Sequence, residues 1–224
     1  MTYNPHEKVM EYGSKPSRLV FYSDEEDFRD NELAEIKNFK DFCEEKDLMI
    51  PERDNEILRF LYSKKFDYQK AYDAAVARTN FRIKNFPAKL NRKVYELVSS
   101  GFMYISGRDK CYRPIICLRS KIIQQMNPLP SGEDIISSTL LIFEYIQHFM
   151  ESPGHIENIS LIIDSKGANV MTIPYNLISQ IVGVIPSNYK CIARAIYILN
   201  APYVFAMAWK SITYLLDENT SRKI

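Results

Sequence analysis

The chain has 224 residues, 29 basic and 28 acidic, with a formal net charge of +1. That length suits one large domain, or a small helical domain beside a larger one, and the charge balance argues against nucleic acid as a partner held by bulk positive charge. Four cysteines, Cys43, Cys111, Cys117 and Cys191, lie scattered without a C-x-x-C pair, so they read as reduced thiols in a cytosolic protein rather than a disulfide or zinc framework.

Residues 1–23 lack an apolar signal-peptide core and read as a loosely ordered N-terminal extension. Residues 24–98 have helical periodicity. Asp24 is placed as the cap of a first helix carrying Leu33, Ile36, Phe39 and Phe42 on its apolar side and ending before Pro51. A short second helix holds Ile57 to Leu61, and Asp67 caps a third that contains Ala71, Ala74, Ala75 and Phe81 and stops at Pro87. This stretch predicts a helical N-terminal lobe.

From residue 99 to 224 short apolar runs alternate with helical patterns. Phe102–Ile105 and Pro114–Leu118 read as strands around the polar turn Ser106 to Arg113. A helix from Glu133 to about Met150 carries Ile136, Leu140, Phe143 and Met150 near one face. Strand Ile159–Ile163, helix Asn176–Ile185, strand Ala195–Leu199 and helix Tyr203–Leu216 follow. The alternation predicts an α/β fold: the helical lobe packed on a largely parallel sheet with covering helices. The most apolar window, Ala195 to Trp209, is shorter than a bilayer crossing and is broken by Asn200 and Pro202, so membrane contact is expected to be peripheral and reversible.

Catalytic patterns are missing from the sequence. The three histidines, His6, His148 and His155, have no H-x-x-x-H partner, and there is no G-x-S-x-G elbow, phosphate loop or G-x-G-x-x-G turn. No enzyme, metal site or cofactor is expected. Asp164-Ser-Lys-Gly167 ends a strand, where ligand sites of parallel sheets gather, so Asp164 can be read as a catalytic or metal carboxylate. Without a second carboxylate nearby in sequence, the favoured reading is a side chain that satisfies turn amides, with Gly167 supplying a positive φ.

Five motifs occur in one order. They are Leu58-Arg-Phe-Leu-Tyr-Ser-Lys-Lys-Phe-Asp67 with its helix to Arg82, Gly107-Arg-Asp-Lys110 with Arg113-Pro114, Asp164-Ser-Lys-Gly167, Asn200-Ala-Pro202, and Leu216-Asp217 with Thr220 and Lys223-Ile224. In order and spacing they resemble the CRAL-TRIO lipid-binding family, including its phosphatidylinositol/phosphatidylcholine transfer members, over roughly residues 54 to 224.

The resemblance implies a deep apolar pocket floored by the sheet and closed by a movable helical gate. The implied function is non-enzymatic binding and intermembrane transfer, or presentation, of one hydrophobic lipid. The partners it implies are that lipid, a transiently touched membrane and, in the presenting role, another protein, in a cytoplasmic setting with reversible membrane association. The alternative is a ligand-free module of the same fold that binds a small GTPase or a membrane scaffold.

Expected pocket residues are Ile116 and Leu118 on one strand, Ile159, Leu161 and Ile163 on another, Tyr145 from the preceding helix, and Ile181, Ile185, Phe205 and Trp209 from covering helices. Because strands of a parallel sheet are buried on both faces, part of this set is expected to be ordinary core. Leu215 and Leu216 are expected in the gate, with Lys223 at the head group. The family continues past Lys-Ile, so the gate is expected to be incomplete at Ile224.

Two departures bear on the cargo. Phosphatidylinositol-binding members carry an acidic and then a basic residue where this chain has Tyr189-Lys-Cys191-Ile192. Phosphatidylcholine-exchanging members carry small hydroxyl residues at the positions of Ile159 and Leu161, which alternate with Ile163 on one strand face. A polar head group buried there without partners is costly, so the departures imply a more apolar cargo or a reoriented phospholipid.

Overall fold

The computed structural model of the chain describes residues 9–12, 15–21, 28–49, 53–169, 183–201 and 223–224. Helix α1 (Asp30–Glu45) buries Ile36, Phe39 and Cys43, spaced three and four residues apart. It begins at Asp30, and the expected cap Asp24 lies outside the described residues. Leu33, expected on the buried side, is exposed because the inward position one turn before Ile36 belongs to Glu32. Its carboxylate accepts the Arg29 N–H at 3.0 Å, the Tyr62 hydroxyl at 2.6 Å and the Arg18 guanidinium. Burial alone would raise the Glu32 carboxyl, but these donors hold it below the usual carboxylate range, while burial and Glu32 push the Tyr62 phenol up to about 12.

Helix α2 (Asp54–Ser63) buries Ile57, Leu58, Phe60 and Leu61. Helix α3 (Tyr68–Asn85) starts at its expected cap, where the Asp67 carboxylate accepts the Lys70 N–H at 3.1 Å. Ala71 and Ala75 of α3 are buried, and small side chains there let α3 lie close on α2. Helix α4 (Arg92–Ser99) has its own cap, the Asn91 side chain accepting the Val94 N–H at 2.8 Å. Asn91→Ala is expected to lower unfolding free energy in urea by about 1 kcal/mol. No measurable change would mean that the packing of Val94 and Leu97 alone holds α4 in place.

Within the N-terminal extension, residues 9–12 and 15–21 are among those described. Strands β1 (Val9–Tyr12) and β2 (Lys15–Arg18) form an antiparallel pair, and Leu19, Val20 and Phe21 after it are buried. Phe21 packs with Ile36, Phe39, Ile57 and Phe60 in the core of the helical part, and Arg18 reaches Glu32. Phe21 thus finds cover on helices that follow it in sequence.

The sheet contains β3 (Met103–Arg108), β4 (Pro114–Arg119), β5 (Ile159–Asp164) and β6 (Ala193–Leu199) in the order β3-β4-β5-β6. The polar turn returns β4 antiparallel to β3, whereas β4, β5 and β6 run parallel. Parallel neighbours need a crossover. Between β4 and β5 it is made by α5 (Ser120–Gln125) and α6 (Gly132–Phe149), and residues 183–188 before β6 are also helical. Helix α6 opens with reciprocal caps: the Ser131 hydroxyl accepts the Asp134 N–H, and the Asp134 carboxylate accepts the Ser131 N–H, both at 3.1 Å. Its buried positions Ile135, Thr139, Ile142, Phe143 and Ile146 follow the same three-and-four spacing.

Charged side chains join the helical part to the sheet part. Arg82 of α3 forks onto Glu144 of α6 at 3.0 and 3.1 Å, and Glu144 also accepts the Tyr189 hydroxyl at 2.9 Å. The buried Glu157 carboxylate accepts the Arg59 guanidinium at 2.6 Å, the Phe21 N–H at 2.7 Å and the Gly154 N–H at 2.8 Å. One side chain therefore ties the extension, α2 and the segment before β5 together.

Candidate functional site

Strand register brings the expected pocket residues onto one face of the sheet. Ile116 lies opposite Leu161 and Leu118 opposite Ile163, and period-two alternation adds Ile159. The same face continues through Ile196 and Ile198 of β6, opposite Leu161 and Ile163, and through Met103 and Ile105 of β3. These four escaped notice as pocket candidates, although the alternation that singled out β5 applies equally to β6. The face packs against Ile135, Phe143 and Ile146 of α6 and against Val184 and Ile185.

Burial changes along the strands. Ile116, Ile159 and Leu161 are 0%, 1% and 7% exposed, whereas Leu118, Ile163, Ile185 and Ile196 are only partly buried at the margin of the same cluster. Ile116, Ile159 and Leu161 are thus packed as ordinary core is packed. The apolar face is sealed at one end and loosens toward the carboxyl ends of the parallel strands, the usual position of ligand sites in such sheets. Ser160, between the two inward residues of β5, points to the opposite face, and its hydroxyl approaches the Asp109 carboxylate at 3.3 Å. No hydroxyl of β5 is presented to the apolar face.

At the carboxyl ends of β5 and β6 two separate motifs meet. Asp164 accepts the Lys166 N–H at 2.9 Å and the Asn200 side-chain amide at 2.8 Å. Both donors hold its carboxyl below the usual carboxylate range. Gly167 has φ 67° and completes the turn, while Asn200 itself sits at φ 53°, a conformation asparagine tolerates better than most residues. Asp164 therefore serves turn amides, as expected. Among the described residues no three His, Cys, Asp or Glu side chains gather as metal ligands, and the four cysteines are free.

Tyr145 is 52% exposed on the outer side of α6, its ring 5.0 Å from that of Phe149. Lys223 is buried, and its carbonyl accepts the Ile196 N–H at 2.7 Å, so this segment lies against β6. The Tyr189-Lys190 pair is used by the fold. The Tyr189 hydroxyl, pushed well up by burial and by Glu144, donates to Glu144, and the Lys190 ammonium donates to the Pro186 carbonyl at 2.8 Å. Ile181, Phe205, Trp209, Leu215 and Leu216 lie outside the described residues.

A family model described as the CRAL/TRIO domain matches residues 98–224, more than half of the chain and the whole of the described sheet. The chain belongs to the CRAL/TRIO domain family. CRAL/TRIO domains are typically non-catalytic lipid carriers. The chain is 24% identical to the phosphatidylinositol/phosphatidylcholine transfer protein SFH9 of Arabidopsis thaliana, covering 89% of this chain and 38% of that protein. It is 25% identical to the Sec14 cytosolic factor of Schizosaccharomyces pombe over 76% of this chain and 65% of the relative, and 20% identical to the human alpha-tocopherol transfer protein-like over 75% and 50%. The chain thus spans less than two-thirds of the length of each of these relatives. The crystal structure of Sfh5 superposes with a TM-score of 0.64 at 14% identity, covering 87% of this chain and 79% of that one, which shows the fold. Among the described residues no helix of this CRAL/TRIO protein is long and apolar enough to cross a membrane.

Proposed function

We propose that this chain is a non-enzymatic carrier that binds one hydrophobic lipid against the sheet and exchanges or presents it at membranes. The observation that carries the reading is the graded apolar face: a packed floor of Ile116, Ile159 and Leu161 that loosens through Leu118, Ile163 and Ile185 toward the strand ends. Burying an acyl chain contributes about 0.8 kcal/mol per methylene, so an apolar surface that can be extended is what such cargo needs. In this reading Ile181, Phe205 and Trp209 complete its walls, Leu215 and Leu216 belong to the gate, and Lys223 meets the head group, while Tyr145, on the outer side of α6, stands apart from it.

The cargo is an apolar lipid, or a phospholipid whose head group lies away from Ile159 and Leu161. Relatives named for phosphatidylinositol and phosphatidylcholine transfer and for tocopherol transfer support lipid as the ligand class. What supports the apolar choice is a β5 face without hydroxyls and a Tyr189-Lys190 pair committed to internal hydrogen bonds. Organic extraction of the native protein followed by lipid mass spectrometry is expected to return one dominant lipid species. A protein that is repeatedly empty and takes up no added phospholipid, sterol or tocopherol would overturn the reading in favour of a ligand-free interaction module.

A further inference from the structure

We propose that the β3–β4 turn and the carboxyl end of α6 together form an anchoring surface for an anionic lipid bilayer, an inference that rests on the carrier reading above. Phe149 is 73% exposed and Tyr112, at the tip of the turn, 52% exposed. Large apolar side chains of this kind are ordinary when scattered singly, but here one arginine holds their backbones together. Arg108 makes the link: its guanidinium donates to the Tyr112 carbonyl at 2.6 Å and to the Met150 carbonyl, next to Phe149, at 2.9 Å. Tyr145 lies beside Phe149, its ring tilted by 40°, and extends the aromatic surface along α6.

The turn is built rather than loose. The Asp109 carboxylate accepts the Cys111 and Arg113 N–H groups at 2.8 and 2.9 Å, and Tyr112 is held at φ 61° with its own N–H on the Asp109 carbonyl. Little conformational entropy remains to be lost when it meets a surface. Charge complementarity selects the partner. Within the turn Arg113 is half-buried and offsets Asp109 at 3.8 Å, so Arg108 and Lys110 are the exposed charges from 108 to 113, and Glu144, next to Tyr145 in sequence, is matched by Arg82. Aromatic rings that suit the interfacial layer, ringed by cations, fit a bilayer containing anionic lipid.

The test is sedimentation of the 224-residue chain with vesicles of phosphatidylcholine alone and of phosphatidylcholine with about a third phosphatidylserine. The parent is expected to bind the anionic vesicles more strongly, with the preference lost at high salt. Lys110→Ala is expected to weaken binding to anionic vesicles about fivefold and leave neutral vesicles unaffected. Phe149→Ser is expected to weaken both about tenfold. Both side chains are exposed, so an unchanged thermal midpoint verifies folding of each variant. Variants that bind like the parent, or a parent that binds neither vesicle, would overturn the anchor. A parent that yields extracted lipid yet ignores vesicles leaves the carrier reading standing without this surface. A lipid-free parent whose vesicle binding depends on Lys110 and Phe149 does the reverse.

Discussion

Glu157→Ala is expected to destabilise the fold by about 3–5 kcal/mol, because it leaves the Arg59 charge buried without its closest carboxylate. Burial by itself would depress the Arg59 guanidinium, and Glu157 followed by Glu56 more than reverses this, so those carboxylates compensate its buried charge. The Phe21 and Gly154 N–H groups would lose their acceptor at the same time. Urea unfolding measures the effect. Replacing both partners with apolar residues, as in Arg59→Met with Glu157→Leu, is expected to recover a substantial part of the loss, since neither charge of that pair then remains. A single substitution costing under about 1 kcal/mol would mean that water reaches Arg59 and the seam is not sealed.

Glu151→Gln is expected to remove a pH-dependent weakness from the same seam. Burial raises the Glu151 carboxyl from 4.5 to about 7; Arg59 opposes the shift, and Glu157, Glu56 and Glu144 reinforce it. Among the described residues no donor reaches its buried Oε1. Between pH 4.5 and 7 the folded chain retains a proton that the unfolded chain has released. Each upward step in pH across that window therefore lowers stability, and the contribution is largest in acid and gone at alkaline pH. Glutamine keeps the shape without the charge. The variant is expected to match the parent near pH 4.5 and to exceed it by about 2–3 kcal/mol near pH 8. Glu32, whose carboxyl is lowered, acts in the opposite direction at acid pH in both proteins, so it cancels in the difference. Parallel stability curves from pH 5 to 8 would show that Glu151 is solvated.

Both effects sit where sequence reading has least purchase. The Asp67 cap, the α6 start, and the strands through Pro114 and Ile159 were legible because cap preference and apolar period act within one or two turns of chain. Helix α4 passed unseen among the helical residues, because eight residues with two buried side chains make a weak periodic signal. Leu33 was misplaced for a different reason. Hydrophobicity favoured it, but Tyr62 and Arg18 give Glu32 enough hydrogen bonds to take the inward position. Tyr145 could be placed on α6 from its sequence, yet its outward orientation follows from Ile142, Phe143 and Ile146 claiming the inward side.

The sequence alone determined the order of the longer helices and of the four sheet strands, the shared face of Ile116, Leu118, Ile159, Leu161 and Ile163, and the turn role of Asp164, because each depends on local backbone preference and side-chain alternation. Only the tertiary structure decided which residues meet. Asp164 finds Asn200, Arg59 finds Glu157, and Glu157 finds the backbone of Phe21, 136 residues away. Such pairings depend on the path of the chain. A lone carboxylate in a sequence carries no sign of whether water, a turn or a buried arginine will satisfy it. The same holds for Phe149: its spacing put it on a helix, and the fold left its ring exposed beside the basic turn.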